Sequence, residues 1–111
     1  MSQKSPRMPV LFVGHGNPMN AIEQNPFHLS WEALGRQLPT PKAVLCISAH
    51  WETQGVYITA SERPETIHDF HGFPKALFDV LYPAPGNPQL AHRTAELLSD
   101  NHASLDPVRG L

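Results

Sequence analysis

The sequence predicts an α/β fold with a mostly parallel sheet and flanking helices. Short runs of apolar residues end at glycine or at polar residues, which is typical of buried strands. Segments with apolar residues at helical spacing lie between these runs. Continuously apolar strands need cover on both faces, and a parallel sheet between helices supplies that cover.

The first half of the chain has the pattern of a strand, a helix and a second strand. The run Pro9–Val13 is the first predicted strand, and Gly14 ends it. The segment 27–38 carries leucines and a tryptophan at helical spacing, and Pro39 stops this predicted helix. The apolar run Ala43–Ser48 is the second predicted strand. Together these segments predict a βαβ unit.

The second half alternates strands and helices again. Val56–Ala60 is rich in β-branched and aromatic residues and is the third predicted strand. A short helix is predicted over Pro74–Leu81 and an amphipathic helix over Pro88–Leu98, with Asn87 as its N-cap. A further strand is predicted to begin around Ala103–Leu105.

Length and composition limit the class of protein. A chain of 111 residues with 41% hydrophobic content forms one small domain or part of one. The formal charge of −2 offers no basic surface for nucleic acid or for an anionic membrane. One cysteine excludes an internal disulfide. Without a secretory signal pattern or a membrane-length apolar stretch, we expect a cytoplasmic protein with a flexible N-terminus over residues 1–7.

Two histidines directly follow the first two predicted strands. His15 lies between Gly14 and Gly16, and His50 comes just after the second strand. Parallel strands joined by a crossover helix bring their carboxyl ends to one edge of the sheet, where open α/β folds bind ligands. Because neighbouring strands lie about 4.8 Å apart, both imidazoles could reach one ion. The pattern favours a metal site, and the alternative is a pair of ordinary loop histidines.

The loop from Thr66 to Pro74 combines imidazoles, a carboxylate and aromatic rings. Asp69 and Phe70 are the candidate substrate contacts, because a few polar groups among apolar rings are typical of a small-molecule site. The alternative is a solvated loop anchored by its phenylalanines. The chain contains neither G-x-G-x-x-G nor G-x-S-x-G, which argues against a nucleotide enzyme and a serine hydrolase.

Four motifs occur in a fixed order along the chain: Leu11–Asn20, Ser48–Trp51, Thr66–Phe70 with Gly72–Pro74, and Tyr82–Gly86. Together they closely resemble the class III extradiol ring-cleavage dioxygenases of the DOPA 4,5-dioxygenase-like branch. The resemblance implies that residues 8–111 are the N-terminal part of a catalytic domain, and that this domain is a larger single-domain fold.

The resemblance also implies a chemistry. It assigns His15 and His50 as the first two ligands of a non-haem metal, with Fe(II) expected for activity and Zn(II) possible as a bound metal. The substrates would be a small catechol and O2. The family's other metal ligands and its main acid-base histidine lie beyond the segment matched here, so His68 is a candidate for a supporting acid-base role.

Two other functions remain open from the sequence. A zinc-dependent hydrolase would activate water at the metal and would need a carboxylate base, for which Glu52 and Asp69 are the candidates. A non-catalytic fragment or binding module is the third possibility. A site with two neutral imidazoles is open and weak, so we expect the isolated chain to be inactive.

Overall fold

The computed structural model describes residues 7–111, and within them it has the predicted α/β character. The helices and strands are α1 (Pro26–Gln37), β1 (Tyr57–Thr59), α2 (Lys75–Phe78), α3 (Pro88–Leu97) and β2 (Ser104–Asp106). Single 3-10 turns occur at Pro18–Ala21 and Ser99–Asn101. The predicted flexible N-terminus falls mostly on residues 1–6, which lie outside the described residues.

The described chain divides into two compact units. The first comprises residues 7–44 and 72–79 and contains α1 and α2, and the second comprises residues 45–71 and 80–111 and contains the sheet and α3. In residues 7–111, the helices are too short or too polar to cross a bilayer.

Helix α1 has the boundaries that its sequence predicts. The Asn25 side chain accepts a hydrogen bond from the backbone N–H of His28 at 2.9 Å, which caps the first turn. Pro26 occupies the first helical position, where its missing N–H costs nothing. The helix ends at Gln37, directly before Leu38 and Pro39. The prediction of this helix is confirmed.

The second unit is built on a parallel pair of strands crossed by α3. Ile58 pairs with Leu105 at the centre of the ladder, and the N–H of Ala60 extends the ladder by donating to the carbonyl of Asp106 at 2.8 Å. Helix α3 contacts both strands and buries Ala91, which is 4% exposed. A parallel pair needs such a crossover connection. The predicted strands near residues 56–60 and 103–105 are therefore confirmed.

The first two predicted strands are wrong. Residues 9–13 and 43–48 have no strand structure, and Val10, Phe12 and Ile47 are 97%, 103% and 94% exposed. Local composition favours an extended backbone here, but a strand also needs a neighbouring backbone to hydrogen-bond with. The described residues form one two-stranded sheet, made by later segments, so the predicted βαβ unit of the first half is absent from them.

The turn after β2 is held by the Asp106 carboxylate. Its Oδ1 accepts hydrogen bonds from the backbone N–H groups of Val108 and Arg109, both at 2.9 Å. These two hydrogen bonds, together with the Arg109 charge, lower the pKa of Asp106, although desolvation acts in the opposite direction. The charged carboxylate therefore stabilises the turn.

Acid should weaken this turn. A carboxyl group with a lowered pKa in the folded state stabilises the fold above its unfolded pKa, and the contribution is lost as the pH falls through the lowered value. Asp106→Asn keeps an oxygen acceptor but removes the charge. As the pH falls below about 4, we expect the free energy of unfolding to decrease less in this variant than in the parent chain. Urea unfolding at a series of pH values measures this difference. Parallel pH profiles would contradict the prediction.

Candidate functional site

A hydrogen-bonded network in the first unit fixes the backbone of His15. Gly16 has a φ of 65°, a left-handed conformation that favours glycine and turns the chain sharply after His15. The Asn20 side chain donates to the His15 carbonyl at 3.1 Å, and its own oxygen accepts from Asn25 at 2.7 Å. His28 Nδ1 contacts the Asn20 carbonyl at 2.7 Å. Side chains at and near the start of α1 therefore hold the turn that carries His15.

The hydrogen bond of the His15 ring decides its tautomer. Nδ1 lies 2.9 Å from the carbonyl oxygen of Gly16. A carbonyl only accepts hydrogen bonds, so Nδ1 carries the proton and Nε2 carries the lone pair of the neutral ring. Metal-bound histidines commonly donate their other ring N–H to a backbone carbonyl in this way. The His15 side chain is exposed, and its role as a metal ligand stays a prediction.

His50 lies in an exposed turn of the second unit. Its backbone N–H donates to the Ser48 hydroxyl at 3.1 Å, so the Ser48 side chain shapes the turn. The next residue, Trp51, is partly buried, and the Arg109 guanidinium carbon lies 5.3 Å from its ring centroid. Sequence reasoning did not identify Arg109, because the contact joins residues far apart in the chain.

The sheet edge that was predicted to carry both His15 and His50 is not formed. The two strands that were predicted to end there, residues 9–13 and 43–48, have no strand structure, and the two histidines belong to different units. Within residues 7–111, no three His, Cys, Asp or Glu side chains converge closely enough to hold a metal ion. The assignment of His15 and His50 as ligands stays a prediction.

His68 occupies a more enclosed position in the second unit. Its Nε2 lies 2.7 Å from the carbonyl oxygen of Val80, so Nε2 is the protonated nitrogen and Nδ1 carries the lone pair of the neutral ring. The Phe70 ring packs edge-on against it, with centroids 5.9 Å apart and an angle of 83° between the planes. The tautomer is thus opposite to that of His15.

The candidate carboxylates are both exposed. Asp69 follows His68 in the same loop, and Glu52 follows the His50–Trp51 pair. Among the described residues, neither carboxylate joins a group of side chains that could hold a metal ion, so the hydrolase hypothesis gains no support from them. The predicted loop Thr66–Pro74 is split between the two units, because residues 66–71 belong to the second unit and residues 72–74 to the first.

Backbone pairing anchors the loop that carries His68, and the sequence analysis missed this role. The Tyr82 N–H donates to the Thr66 hydroxyl at 2.9 Å, and the Gly86 N–H donates to the Glu62 carbonyl at 2.9 Å. A Cβ atom on Gly86 would lie 1.7 Å from the Ser61 carbonyl oxygen. Only glycine permits this approach. The Tyr82–Gly86 motif thus supports the loop from one side.

Residues 110 and 111 support the same loop from another side. The Leu111 N–H donates to the Glu65 carbonyl at 2.7 Å, and the Ile67 N–H donates to the Leu111 carbonyl. A Cβ atom on Gly110 would lie 2.1 Å from the Glu65 oxygen, so glycine is required here too.

A shallow cleft in the second unit lies beside the Tyr82–Gly86 motif. It has a volume of about 330 Å³ and is lined by Arg63, Pro64, Pro83, Ala84 and Pro85. None of the predicted site residues lines it, so it provides no argument for a substrate site.

The parallel α/β arrangement of the described residues is shared by many classes of protein. Comparison with known families identifies which class this is. Residues 4–107 match the family described as the catalytic LigB subunit of aromatic ring-opening dioxygenase. The chain belongs to this family, as the four motifs predicted.

Relatives from bacteria, plants and fungi are similar to this chain. It is 56% identical to a 4,5-DOPA dioxygenase extradiol of Escherichia coli (strain K12) over 102 residues, which are 92% of this chain and 38% of the relative. It is 41% identical to a protein of the same name from Beta vulgaris, over 90% of this chain and 40% of the relative. Dioxygenase tasH of Hapsidospora irregularis is 31% identical, over 92% and 36% respectively. The chain therefore spans about two fifths of the length of these relatives.

Proposed function

We propose that this chain is the N-terminal portion of an extradiol dioxygenase, which opens a catechol ring with O2 at a non-haem metal. The match of residues 4–107 to this family carries the proposal, and the hydrogen bond from His15 Nδ1 to the Gly16 carbonyl supports it, because metal-bound histidines commonly donate to a backbone carbonyl. Family membership supplies the reaction class. The names of the relatives make DOPA the first catechol to test.

In this proposal His15 and His50 supply two imidazole ligands, and residues beyond this segment complete the site. Fe(II) is the metal expected for activity, with Zn(II) as a possible occupant. When bound, the metal provides a Lewis-acid and redox centre at which the catechol and O2 meet. The hydrogen bond from the His15 ring to the Gly16 carbonyl orients the ring, and the hydrogen bond from Asn20 to the His15 carbonyl holds its backbone.

His68 is the proposed proton acceptor for a catechol hydroxyl. The Val80 carbonyl holds its proton on Nε2, so Nδ1 can take up a proton without a change of tautomer. Phe70 fixes the ring from its edge and offers an apolar surface to an aromatic substrate, while the exposed Asp69 is available to polar substrate groups. The partners are thus a small catechol and O2, and we propose a cytoplasmic location.

The two roles of His68 can be separated by substitution. In His68→Gln the amide nitrogen can still donate to Val80, but no basic nitrogen remains. We expect a loss of roughly 10²–10⁴-fold in kcat with the fold retained, as for removal of a general base. His68→Leu should lose both the activity and part of the stability. Nearly full activity in His68→Gln would show that His68 is purely structural.

The proposed function is tested in a chimaera that carries this chain in place of the matching segment of the E. coli relative, which is 56% identical. With Fe(II) and DOPA, the chimaera should consume O2 and form a yellow ring-opened product. The isolated chain should bind divalent metal weakly and consume no O2, because it lacks the further ligands. Oxygen uptake by the isolated chain would contradict this prediction. A chimaera that folds and binds Fe(II) but forms no ring-opened product would contradict the proposed function.

A further inference from the structure

The His28 ring lies between two hydrogen-bond acceptors near the start of α1. Its Nδ1 lies 2.7 Å from the backbone carbonyl oxygen of Asn20, and its Nε2 lies 2.9 Å from a carboxylate oxygen of Glu32, one turn further along α1. Both distances are typical of an N–H···O hydrogen bond. All three residues belong to the first unit, and the His28 side chain is 18% exposed. The ring therefore bridges α1 and the 3-10 turn that contains Asn20.

The two contacts of the His28 ring together require two ring protons. A backbone carbonyl oxygen and an ionised carboxylate only accept hydrogen bonds, so each ring nitrogen has to donate. A neutral imidazole has one N–H, whereas the imidazolium has two. The observed arrangement is therefore that of the charged, doubly protonated His28.

The residue that accepts from His28 also holds the turn around His15. The Asn20 side chain donates to the His15 carbonyl at 3.1 Å, and its oxygen accepts from Asn25 at 2.7 Å. His28 thus fixes the backbone of the residue whose side chain makes these two hydrogen bonds. If the Asn20 backbone moves away from His28, the side-chain hydrogen bonds of Asn20 are disturbed as well.

The charged groups around this contact differ in how they respond to pH. Besides His28 and Glu32, the titratable or charged residues on α1, on α2 with its C-cap, and in the turns between residues 14 and 25 are His15, Glu23, Arg36, Lys75 and Asp79. Arg36 lies 3.9 Å from the second carboxylate oxygen of Glu32, and Lys75 pairs with Asp79 at 3.1 Å. Histidine is the side chain that ordinarily changes its charge between about pH 5 and 8. His28 is the histidine that contacts both the helix and the 3-10 turn.

We propose that His28 is a proton-dependent clamp on the turn that precedes α1. The charged ring holds the Asn20 carbonyl and the Glu32 carboxylate at the same time. The neutral ring keeps one N–H, which stays with the carboxylate because an ionised acceptor makes the stronger hydrogen bond, and the Asn20 carbonyl is released. The clamp is therefore closed in acid and opens as the pH rises between about 5 and 8. It acts on the backbone of the turn, whether or not His15 binds a metal.

The experiment uses the 111-residue chain with Trp51→Phe, so that Trp31 on α1 is the one remaining indole. Nitrogen NMR of labelled histidine rings counts the ring protons of His28 between about pH 5.5 and 8. Urea unfolding followed by Trp31 fluorescence measures the folding equilibrium constant of α1 over the same range. Because the pair is partly exposed, we expect opening of the clamp to lower this constant about two- to fivefold.

Glu32→Gln isolates the clamp from other groups that titrate. The amide can accept from a protonated Nε2 or donate to an unprotonated one, so it serves both forms of the His28 ring. The decrease of about two- to fivefold with rising pH should therefore be absent from this variant. The matched control is Glu96→Gln on α3, which removes the same charge from the pair with Arg93 and should keep the full pH dependence.

The backbone of Asn20 reports the opening directly. In the parent chain, the carbon shift of the Asn20 carbonyl should change along the same pH curve as the His28 ring, and this measurement decides the question even if Glu32→Gln fails to fold. One ring proton on His28 at about pH 5.5, or an Asn20 shift that ignores the ring, would overturn the clamp. Equal pH dependence in Glu32→Gln and in the parent chain would also overturn it. Loss of the pH dependence in Glu96→Gln as well would trace the effect to net charge and overturn the role of His28.

Discussion

Replacement of His15 by alanine in the chimaera with the E. coli relative should abolish metal occupancy and ring cleavage together. The His15 ring is the proposed source of one metal–nitrogen bond, through Nε2. Loss of a residue that merely orients a ligand costs roughly 10–100-fold in metal affinity or activity, so loss of the ligand itself should cost more. His50→Ala should have the same effect.

The control is His92→Ala. His92 lies on α3 with an exposed side chain and has no proposed role, so its removal should leave metal content and oxygen consumption nearly unchanged. Metal content per chain and oxygen uptake with Fe(II) and DOPA are measured on the same preparations. If His15→Ala retained full activity and full metal content, His15 would have to be abandoned as a ligand.

Helices were predictable because their signals are local. The Asn25 cap, the proline after it and the apolar spacing of α1 all act within a few residues of one another. The same holds for α3, where Asn87 accepts from the N–H of Leu90 as predicted. A strand near residue 105 was also anticipated, from the segment Ala103–Leu105 that follows the helix, and it is observed at Ser104–Asp106.

Strand pairing was only partly predictable because it depends on distant residues. The apolar runs Pro9–Val13 and Ala43–Ser48 have strand composition, yet they form no ladder in the described residues. The ladder forms instead between Tyr57–Thr59 and Ser104–Asp106, which are separated by about 45 residues and joined through α3. Composition alone does not choose between such partners.

For the candidate site too, features set by neighbouring residues were predictable from the sequence, and contacts between distant residues were not. The Gly14–Gly16 turn around His15 and the aromatic loop around His68 were visible as motifs. The Val80 carbonyl that sets the tautomer of His68 lies 12 residues away, and no residue pattern marks a backbone acceptor. Arg109 lies still further from Trp51 and became visible only through their contact.

Glycine substitutions at two positions should change stability in opposite directions. In Gly86→Ala the new Cβ atom would lie 1.7 Å from the Ser61 carbonyl oxygen, so one of the two backbone segments must move. That movement disturbs the hydrogen bond from the Gly86 N–H to Glu62 and, with it, the support of the His68 loop. We expect a loss of about 1–3 kcal/mol in the free energy of unfolding, typical of overpacking.

Gly35→Ala is the matched control, since it makes the same chemical change inside helix α1. No atom lies within 4 Å of the added Cβ position there, so the methyl group meets no obstacle. Alanine favours a helix over glycine by about 1 kcal/mol, and Gly35→Ala should therefore raise the free energy of unfolding. Urea unfolding followed by circular dichroism measures both variants. A stable Gly86→Ala variant would mean that the backbones of residues 61 and 86 do not approach as described, and the anchoring of the His68 loop by Tyr82–Gly86 would then be wrong.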